Sequence, residues 1–308
     1  MDIFDLKGIQ PMLISEMKDS YDDVESIFEL KLDGIRCIAY LDDTTDLRNK
    51  RDMKLLQRFP ELADIHRQCK VKCILDGELI VTKHGQPDFY ELQGRTLLTN
   101  FFKIQLASKQ LPASFVAYDI LYYKDHEVVN LPLMQRKSYL KDVVEENDRI
   151  SVSRYIQNSG RLLYDLAKQK KLEGIVGKKK ESLYWYGKRT KDWMKCKVME
   201  DDDFVIGGYI AKSDQTVTFL LGKYDQGNLF ATNKVTLGCS IRQLKSHGYE
   251  IINQSPFVNS TDDDGAIWIK PLVGTVEYMP SDKESMRQPV FKGIRDDKEP
   301  IECKMVRY

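Results

Sequence analysis

Histidine is scarce, at four in 308 residues, and none of the six cysteines (37, 69, 73, 196, 239 and 303) has a C-x-x-C partner. A zinc site and a disulfide framework therefore both lack the ligand spacing they need, and reduced cytosolic thiols are the natural reading. No run of eighteen apolar residues occurs, and the opening MDIFDLKGIQPML has no basic segment leading into an apolar core. Neither membrane spanning nor secretion is expected on those grounds, and a cytoplasmic protein is. Excess charge is also missing: Lys plus Arg equals Asp plus Glu at 47 each, so any footprint for a polyanion must be local. Internal repeats and low-complexity tracts are absent as well. What remains is 42% hydrophobic and 31% charged, enough for a real core, in a chain longer than one usual domain.

Strand-like patterns dominate, at 26–33, 35–41, 71–82, 114–123, 173–180, 192–199, 203–211, 216–224 and 266–279. Helical periodicity is clearest at 53–69 (broken at Pro60), 133–146, 159–171 and 240–252. This mixture predicts an α+β fold with mostly antiparallel sheets rather than repeated βαβ units. At 198–203, WMKCKV gives way to the acidic run Glu200 to Asp203, which suggests a boundary. The shorter region beyond it, with about five strands and one helix, fits a small OB-type barrel, and a generic β-sandwich has the same pattern.

Six short elements carry candidate chemistry. In ELKLDGIR (29–36), Leu30 and Leu32 alternate with Glu29, Lys31 and Asp33 ahead of a turn at Gly34. The bland reading is a solvated edge face; the sharper one is a reactive lysine, which needs desolvation or nearby cations such as Arg36 to act as a nucleophile. In LDGEL (75–79), Asp76 and Glu78 share a face and suit a divalent cation or a ribose, though solvated acids at a bend are an equal match to the pattern. Tyr118 in FVAYDIL is either core filler or a stacking surface for a base. In LEGIV (172–176), Glu173 is a candidate metal ligand and Gly174 a helix C-cap. WMKCK places Trp193, Lys195 and Lys197 on one face, and two adjacent ammonium groups are best tolerated with an anion between them. Around it, residues 178–197 concentrate lysine and arginine with interleaved aromatics, a local nucleic-acid footprint or a solvated loop. Finally, FKGIRDDK (291–298) gathers charge in what could as well be a frayed tail.

Taken in order across nearly the whole chain, these elements resemble the motif set of covalent nucleotidyltransferases, most closely ATP-dependent DNA ligases. KLDGIR is similar to the nucleotidyl-lysine motif and Leu47-Arg48-Asn49 to the arginine segment that follows it, with Leu47 where many relatives have serine and Lys50 where many have glycine. LDGEL, VAYDIL, LEGIV and WMKCK resemble the later pocket motifs, and Arg295-Asp296-Asp297-Lys298 resembles the R-x-D-K motif of the appended domain. The second half is similar to bacterial end-joining ligases and compact phage relatives, through FVIGGY, LGKY, WIKP and MRQPVF.

The resemblance implies an ATP-grasp-like nucleotidyltransferase domain of antiparallel sheets with flanking helices over 1–198, then an OB-fold barrel over 199–308. It implies ATP and Mg²⁺ or Mn²⁺ as cofactors, nicked double-stranded DNA as partner, a monomer, and a bacterial or phage-encoded cytoplasmic enzyme of two domains. Lys31 would carry AMP, Glu29 would read the adenine amino group, and Tyr118 would stack on the ring. Glu78 would hold the ribose or a metal and Glu173 the catalytic metal. Lys195 and Lys197 would grip the α-phosphate, and Arg36 and Arg48 would receive the nick phosphate. Arg295, Asp297 and Lys298 would close over pyrophosphate in the first step. The alternatives are an RNA ligase or mRNA-capping guanylyltransferase of the same superfamily and, from another class, a non-catalytic single-strand-binding module.

Overall fold

The structure is a computed structural model that describes residues 2–212, 216–259, 263–280 and 286–305. The chain divides into two compact units, Met1–Lys197 and Val198–Tyr308. The principal strands of the first are β1 (Leu13–Glu16), β2 (Asp23–Leu30), β3 (Ile35–Leu41), β4 (Thr45–Asn49), β5 (Cys73–Lys83), β6 (Ala113–Tyr123), β7 (Tyr155–Asn158), β8 (Gly174–Lys179) and β9 (Arg189–Lys197). Its longer helices are α1 (Phe89–Thr96), α2 (Phe101–Gln110), α3 (Leu133–Val143) and α4 (Gly160–Gln169), and a single helical turn spans Ile3–Leu6.

Two sheets organise this unit, in the orders β1-β9-β8-β2-β7 and β4-β3-β5-β6. Pairing is antiparallel except between β1 and β9 and between β6 and a short strand at Ile150–Val152, so the expected α+β class with mostly antiparallel sheets is what is found. The two sheets share a core of Met12, Ile27, Ile38, Tyr40, Ile74 and Trp193. A second core lies on the other face of β3, β5 and β6, where Cys37, Leu75 and Phe115 meet Leu55, Phe59, Leu62, Leu140 and Val143. Strands buried on both faces read as continuous apolar runs, which explains why VKCILDGELIV looked so strand-like.

The second unit holds β10 (Glu200–Ala211), β11 (Val217–Asp225), β12 (Asn228–Val235), α5 (Ile241–Ser246), β13 (Ala266–Met279) and β14 (Arg287–Arg295). Its sheet order is β12-β11-β10-β13-β14, all antiparallel. A bridge from Leu237 to Val290 brings the segment after β12 to the far edge strand, which curls the sheet toward closure. Five strands in this order with a helix between the third and fourth are consistent with an OB-fold barrel.

Three expectations need correction. The helix expected at 53–69 is replaced by two short 3₁₀ turns, Pro60–Leu62 and Ile65–Gln68, because Pro60 cannot donate within a helix and sits at a turn start instead. The strand expected from 203 begins earlier: the acidic run Glu200 to Asp203, next to the division at 197/198, forms the first part of β10. The strand expected at 26–33 stops at Leu30, and Glu29 is only 2% exposed, which removes the solvated-edge reading for it. Two longer helices were missed, α1 and α2; their signals were the capping residues Asp88 and Asn100, whose side chains accept from Tyr90 and Glu91 N–H and from Lys103 N–H.

Candidate active site

The site is built by strand register. Across β2, β8 and β9, Glu29 pairs with Val176 and Val176 with Lys195; beyond the end of β2, the Lys31 N–H donates to the Gly174 carbonyl at 2.8 Å, and Gly174 pairs with Lys197. Side chains opposite one another on paired strands share a face. Lys31 and Lys197 therefore stand at the rim of one face, Glu29 and Lys195 one step inside it, and Lys178 and Trp193 deeper. Gly34 turns the chain from β2 into β3 where nothing larger fits, since a Cβ there would overlap the Leu79 carbonyl and come within 2.7 Å of the Glu78 side chain. That close approach fixes Lys31 beside the strand carrying Glu78.

Lys31 Nζ lies 2.6 Å from Glu173 Oε2, with the lysine side chain 21% exposed. Glu173 thus meets the lysine directly in this state. Glu78 is half-buried near both, and burial pushes its carboxyl up to about 8, with Lys31 and Arg36 pulling down and Glu173 and Asp76 pushing up. Arg36, expected as a cation crowding Lys31, is instead neutralised: its Nε and Nη2 donate to the fully buried Asp76 at 3.0 and 2.6 Å, and its Nη1 donates to the Met12 carbonyl at 2.5 Å. Tyr184 donates to the same carboxylate at 2.7 Å. Arg48 on β4 is held the same way, by Asp46 at 2.9 Å and by both oxygens of Asp52 at 2.9 and 3.0 Å.

Deeper in the cleft, Glu29 lies between Lys178, at 2.9 Å, and Lys137 from α3. Burial alone would raise its carboxyl, but the two ammonium groups hold it below the usual range. Glu29 is therefore one corner of a buried ion triad rather than an open acceptor. Burial draws Lys178 down to about 8 against the pull of Glu29. Lys178 Nζ also stands 4.5 Å from the Tyr118 ring centre and 4.1 Å from that of Trp193, a cation–π arrangement.

Sequence reasoning missed Lys137, Lys178, Asp119 and Arg136. Asp119 and Arg136 form a fully buried bidentate pair at 2.8 and 2.9 Å that docks α3 on β6. The available signal was α3 itself, whose core-facing stripe through Leu133, Leu140 and Val143 runs through Arg136 and Lys137, both buried. The basic stretch at 178–197 is less of a surface than expected. Trp193 and Tyr184 are core residues, Lys178 is buried, and Lys179 pairs with Asp23 at 2.7 Å.

Lys195 and Lys197 do have an anion between them, but it is the chain's own. Glu16 on β1 lies 3.2 Å from Lys195 Nζ and 3.5 Å from Lys197 Nζ. In the second unit, Arg295 and Lys298 both donate to Asp203 Oδ2, at 2.8 and 2.9 Å, and Arg295 also grips Asp297 at 2.6 and 2.9 Å. Thr275 adds a 2.7 Å bond to Asp203, and these donors outweigh burial to hold its carboxyl below the usual range. Among the described residues, no group of three or more His, Cys, Asp or Glu side chains is placed to hold a metal unaided, and no helix is long and apolar enough to cross a membrane.

A nucleophilic amine, two flanking carboxylates, a pair of ammonium groups and an aromatic ring at one cleft suit attack on a nucleotide phosphate. Comparison with known proteins agrees. Residues 11–197 match the profile of the ATP dependent DNA ligase domain, and residues 212–298 that of the ATP dependent DNA ligase C terminal region. The SPbeta prophage-derived DNA ligase-like protein LigB of Bacillus subtilis is 28% identical over 292 residues, covering 93% of this chain and 99% of that one. A DNA ligase of Thermococcus fumicolans is 27% identical over 96% of this chain, and the end-joining DNA repair protein LigD of Mycobacterium tuberculosis 26% identical over 97%; this chain spans 57% and 40% of their lengths. In fold, the ligase domain of M. tuberculosis LigD superposes with a TM-score of 0.57 at 24% identity over the whole of both chains. A Lig E DNA ligase gives 0.60 at 16% identity over 92% of this chain and 99% of that one.

Proposed function

Because the chain belongs to the ATP-dependent DNA ligase family, we propose that it seals nicks in double-stranded DNA with Lys31 as the nucleotide carrier. In the first step the Lys31 amine, having given up a proton, attacks the α-phosphorus of ATP; an N–P bond forms, the bond to the bridging oxygen breaks, and pyrophosphate leaves. AMP then passes from Lys31 to the 5′-phosphate of the nick. The 3′-hydroxyl attacks that phosphorus, AMP departs, and the strand is continuous. Each step asks for in-line geometry and neutralised charge around phosphorus.

Glu173, 2.6 Å from Lys31 Nζ, orients the amine and stands where its proton leaves. Lys195 and Lys197 grip the α-phosphate, and Tyr118 offers the adenine a π face beside the triad of Glu29, Lys137 and Lys178. Glu78 holds the ribose or a metal. Arg36 and Arg48, aimed by Asp76 and by Asp46 and Asp52, meet the nick phosphate. Arg295, Asp297 and Lys298 serve the pyrophosphate. The first unit is then the adenylation domain (1–198) and the second the OB domain (199–308), acting as a monomer in a bacterial or phage-infected cytosol.

Glu78 and Glu173 fit Mg²⁺ or Mn²⁺ only in the mode where one or two carboxylates act together with substrate phosphates, since the described residues form no full cage. When bound there, such an ion would neutralise charge on the phosphates. The convergence of Lys31, with its Glu173 partner, and of Lys195 and Lys197 on one face is the observation that supports this reading most. The test is incubation with α-labelled ATP and Mg²⁺, followed by a chase with nicked duplex. We expect an acid-labile label that survives denaturation, is discharged on sealing, and is absent in Lys31→Arg. Labelling from GTP but not ATP would overturn the proposal in favour of a capping-type enzyme.

A further inference from the structure

Glu16 is unexplained by any step above, yet the fold takes trouble to place it. Strand β1 enters its parallel pairing with Leu13 opposite Arg189 and Ile14 opposite Thr190. Continued in that register, Glu16 would face Asp192, carboxylate against carboxylate. The register instead jumps between Ile14 and Ser15, so that Ser15 meets Met194 and Glu16 meets Lys195. The irregular step is pinned on both sides. Ser15 Oγ donates to the Thr190 carbonyl at 2.7 Å, and the Met17 N–H donates to the Lys195 carbonyl at 2.9 Å. The result is one carboxylate whose two oxygens divide between two ammonium groups, Oε2 to Lys195 at 3.2 Å and Oε1 to Lys197 at 3.5 Å.

The exposures are unequal. Lys195 and Lys197 side chains are 22% and 18% exposed, while that of Glu16 is 57% exposed. The lysines are thus held in the cleft wall and the carboxylate is the member able to leave. Both distances are long for charge-assisted bonds, which favour 2.7–2.9 Å. A tetrahedral phosphate with several oxygens satisfies two ammonium groups better than a carboxylate reaching from the neighbouring strand.

We propose that Glu16 is an exchangeable counter-ion of the nucleotide site: it holds Lys195 and Lys197 side by side before ATP arrives and competes with the α-phosphate for them, so that it sets nucleotide affinity. This rests on the reading of Lys195 and Lys197 as the phosphate grip.

The experiment is single-turnover adenylylation over a range of ATP concentrations for wild type, Glu16→Gln, Glu16→Asp and Lys195→Ala, with melting curves for each. Two exposed ion pairs of ordinary strength translate into a half-saturating ATP concentration about three- to ten-fold lower in Glu16→Gln. The maximal rate stays as in wild type, and Glu16→Asp, which keeps the charge but loses reach, falls between. A merely structural cross-strand pair would not lower the half-saturating concentration at constant maximal rate. Glu16→Gln with an unchanged or raised half-saturating concentration, alongside a Lys195→Ala that binds ATP weakly, would overturn the exchange and leave the phosphate grip standing. Lys195→Ala with unaltered ATP dependence would remove the grip itself and the proposal with it. Loss of folding in both Glu16 variants would show a structural residue and count against exchange.

Discussion

Replacing Glu78 by glutamine should stabilise the protein, and only above acidic pH. Burial pushes the Glu78 carboxyl up to about 8 from an ordinary value of 4.5. A group whose folded value is raised stabilises the native state fully below its unfolded value and loses that contribution as pH climbs to the folded value. The window is therefore pH 4.5 to about 8. A shift of about 3.5 units corresponds to about 5 kcal/mol if realised in full, but solvent still reaches this half-buried carboxyl, and about 2 kcal/mol is the figure to expect. Urea unfolding followed by the fluorescence of Trp193, fully buried in the same cleft, measures it. At pH 4, where the unfolded carboxyl is largely protonated as well, wild type and Glu78→Gln should agree closely, because the amide mimics the neutral acid. The variant should then gain stability through pH 6 and 7 and hold a constant lead above about pH 8. Lys178, drawn down to about 8 by burial, titrates in the same range but in both proteins, so it cancels from the difference. A gap that does not change between pH 5 and 9 would refute the raised carboxyl.

Two further outcomes bear on the base pocket and its support. Tyr118→Phe should adenylylate with near wild-type ATP dependence, whereas Tyr118→Ala, lacking the ring, should need about 5- to 150-fold more ATP, from a stacking contribution of about 1–3 kcal/mol; equal behaviour of the two variants in the labelling assay would remove Tyr118 from the adenine site. Asp119→Asn leaves the Arg136 guanidinium, fully buried against it at 2.8 and 2.9 Å, with a poorer partner, and should cost about 3 kcal/mol or more. Differential scanning calorimetry should read this as a melting point lower by roughly 10 °C, and a drop of a degree or two would mean that the pair contributes little.

Much of this site was legible from residue order alone, because Lys31, Glu78, Tyr118, Glu173, Lys195 and Lys197 lie on or beside strands that the alternation and apolar runs had already located. Their partners were not legible. Asp76 stood out as a carboxylate near Glu78, yet nothing local said that it would take the Arg36 guanidinium from forty residues away. For Glu29, alternation could not decide between a solvated face and a ligand site, because it cannot reveal that a strand is covered on both sides. It is the sheet order, with β2 between β7 and β8, and the packing of α3 that bury it against Lys137 and Lys178. The long-range pair of Glu16 with Lys195 and Lys197 depends on a register jump in a four-residue strand, which no local pattern encodes.

The equal count of 47 cations and 47 carboxylates required any footprint for a polyanion to be local, and the structure adds a further meaning to that balance. Each cation assigned to phosphate rests on a carboxylate of its own unit: Lys31 on Glu173, Arg36 on Asp76, Arg48 on Asp46 and Asp52, Lys195 and Lys197 on Glu16, Arg295 and Lys298 on Asp203. A partly buried cation left unpaired is costly, so a site that must be stable without substrate needs resident anions. On the proposed roles, substrate phosphate would bind by exchange, and its affinity would be the difference between two ion pairings rather than the whole strength of one. The pairs divide by burial. Asp76 is fully buried and cannot leave, so Arg36 keeps its orientation whether or not phosphate is present. Glu16 is exposed and able to leave, which is what the proposed exchange at Lys195 and Lys197 requires. For these two pairs, burial of the carboxylate, more than the identity of the cation, would separate a group that aims the site from groups that bind and release phosphate.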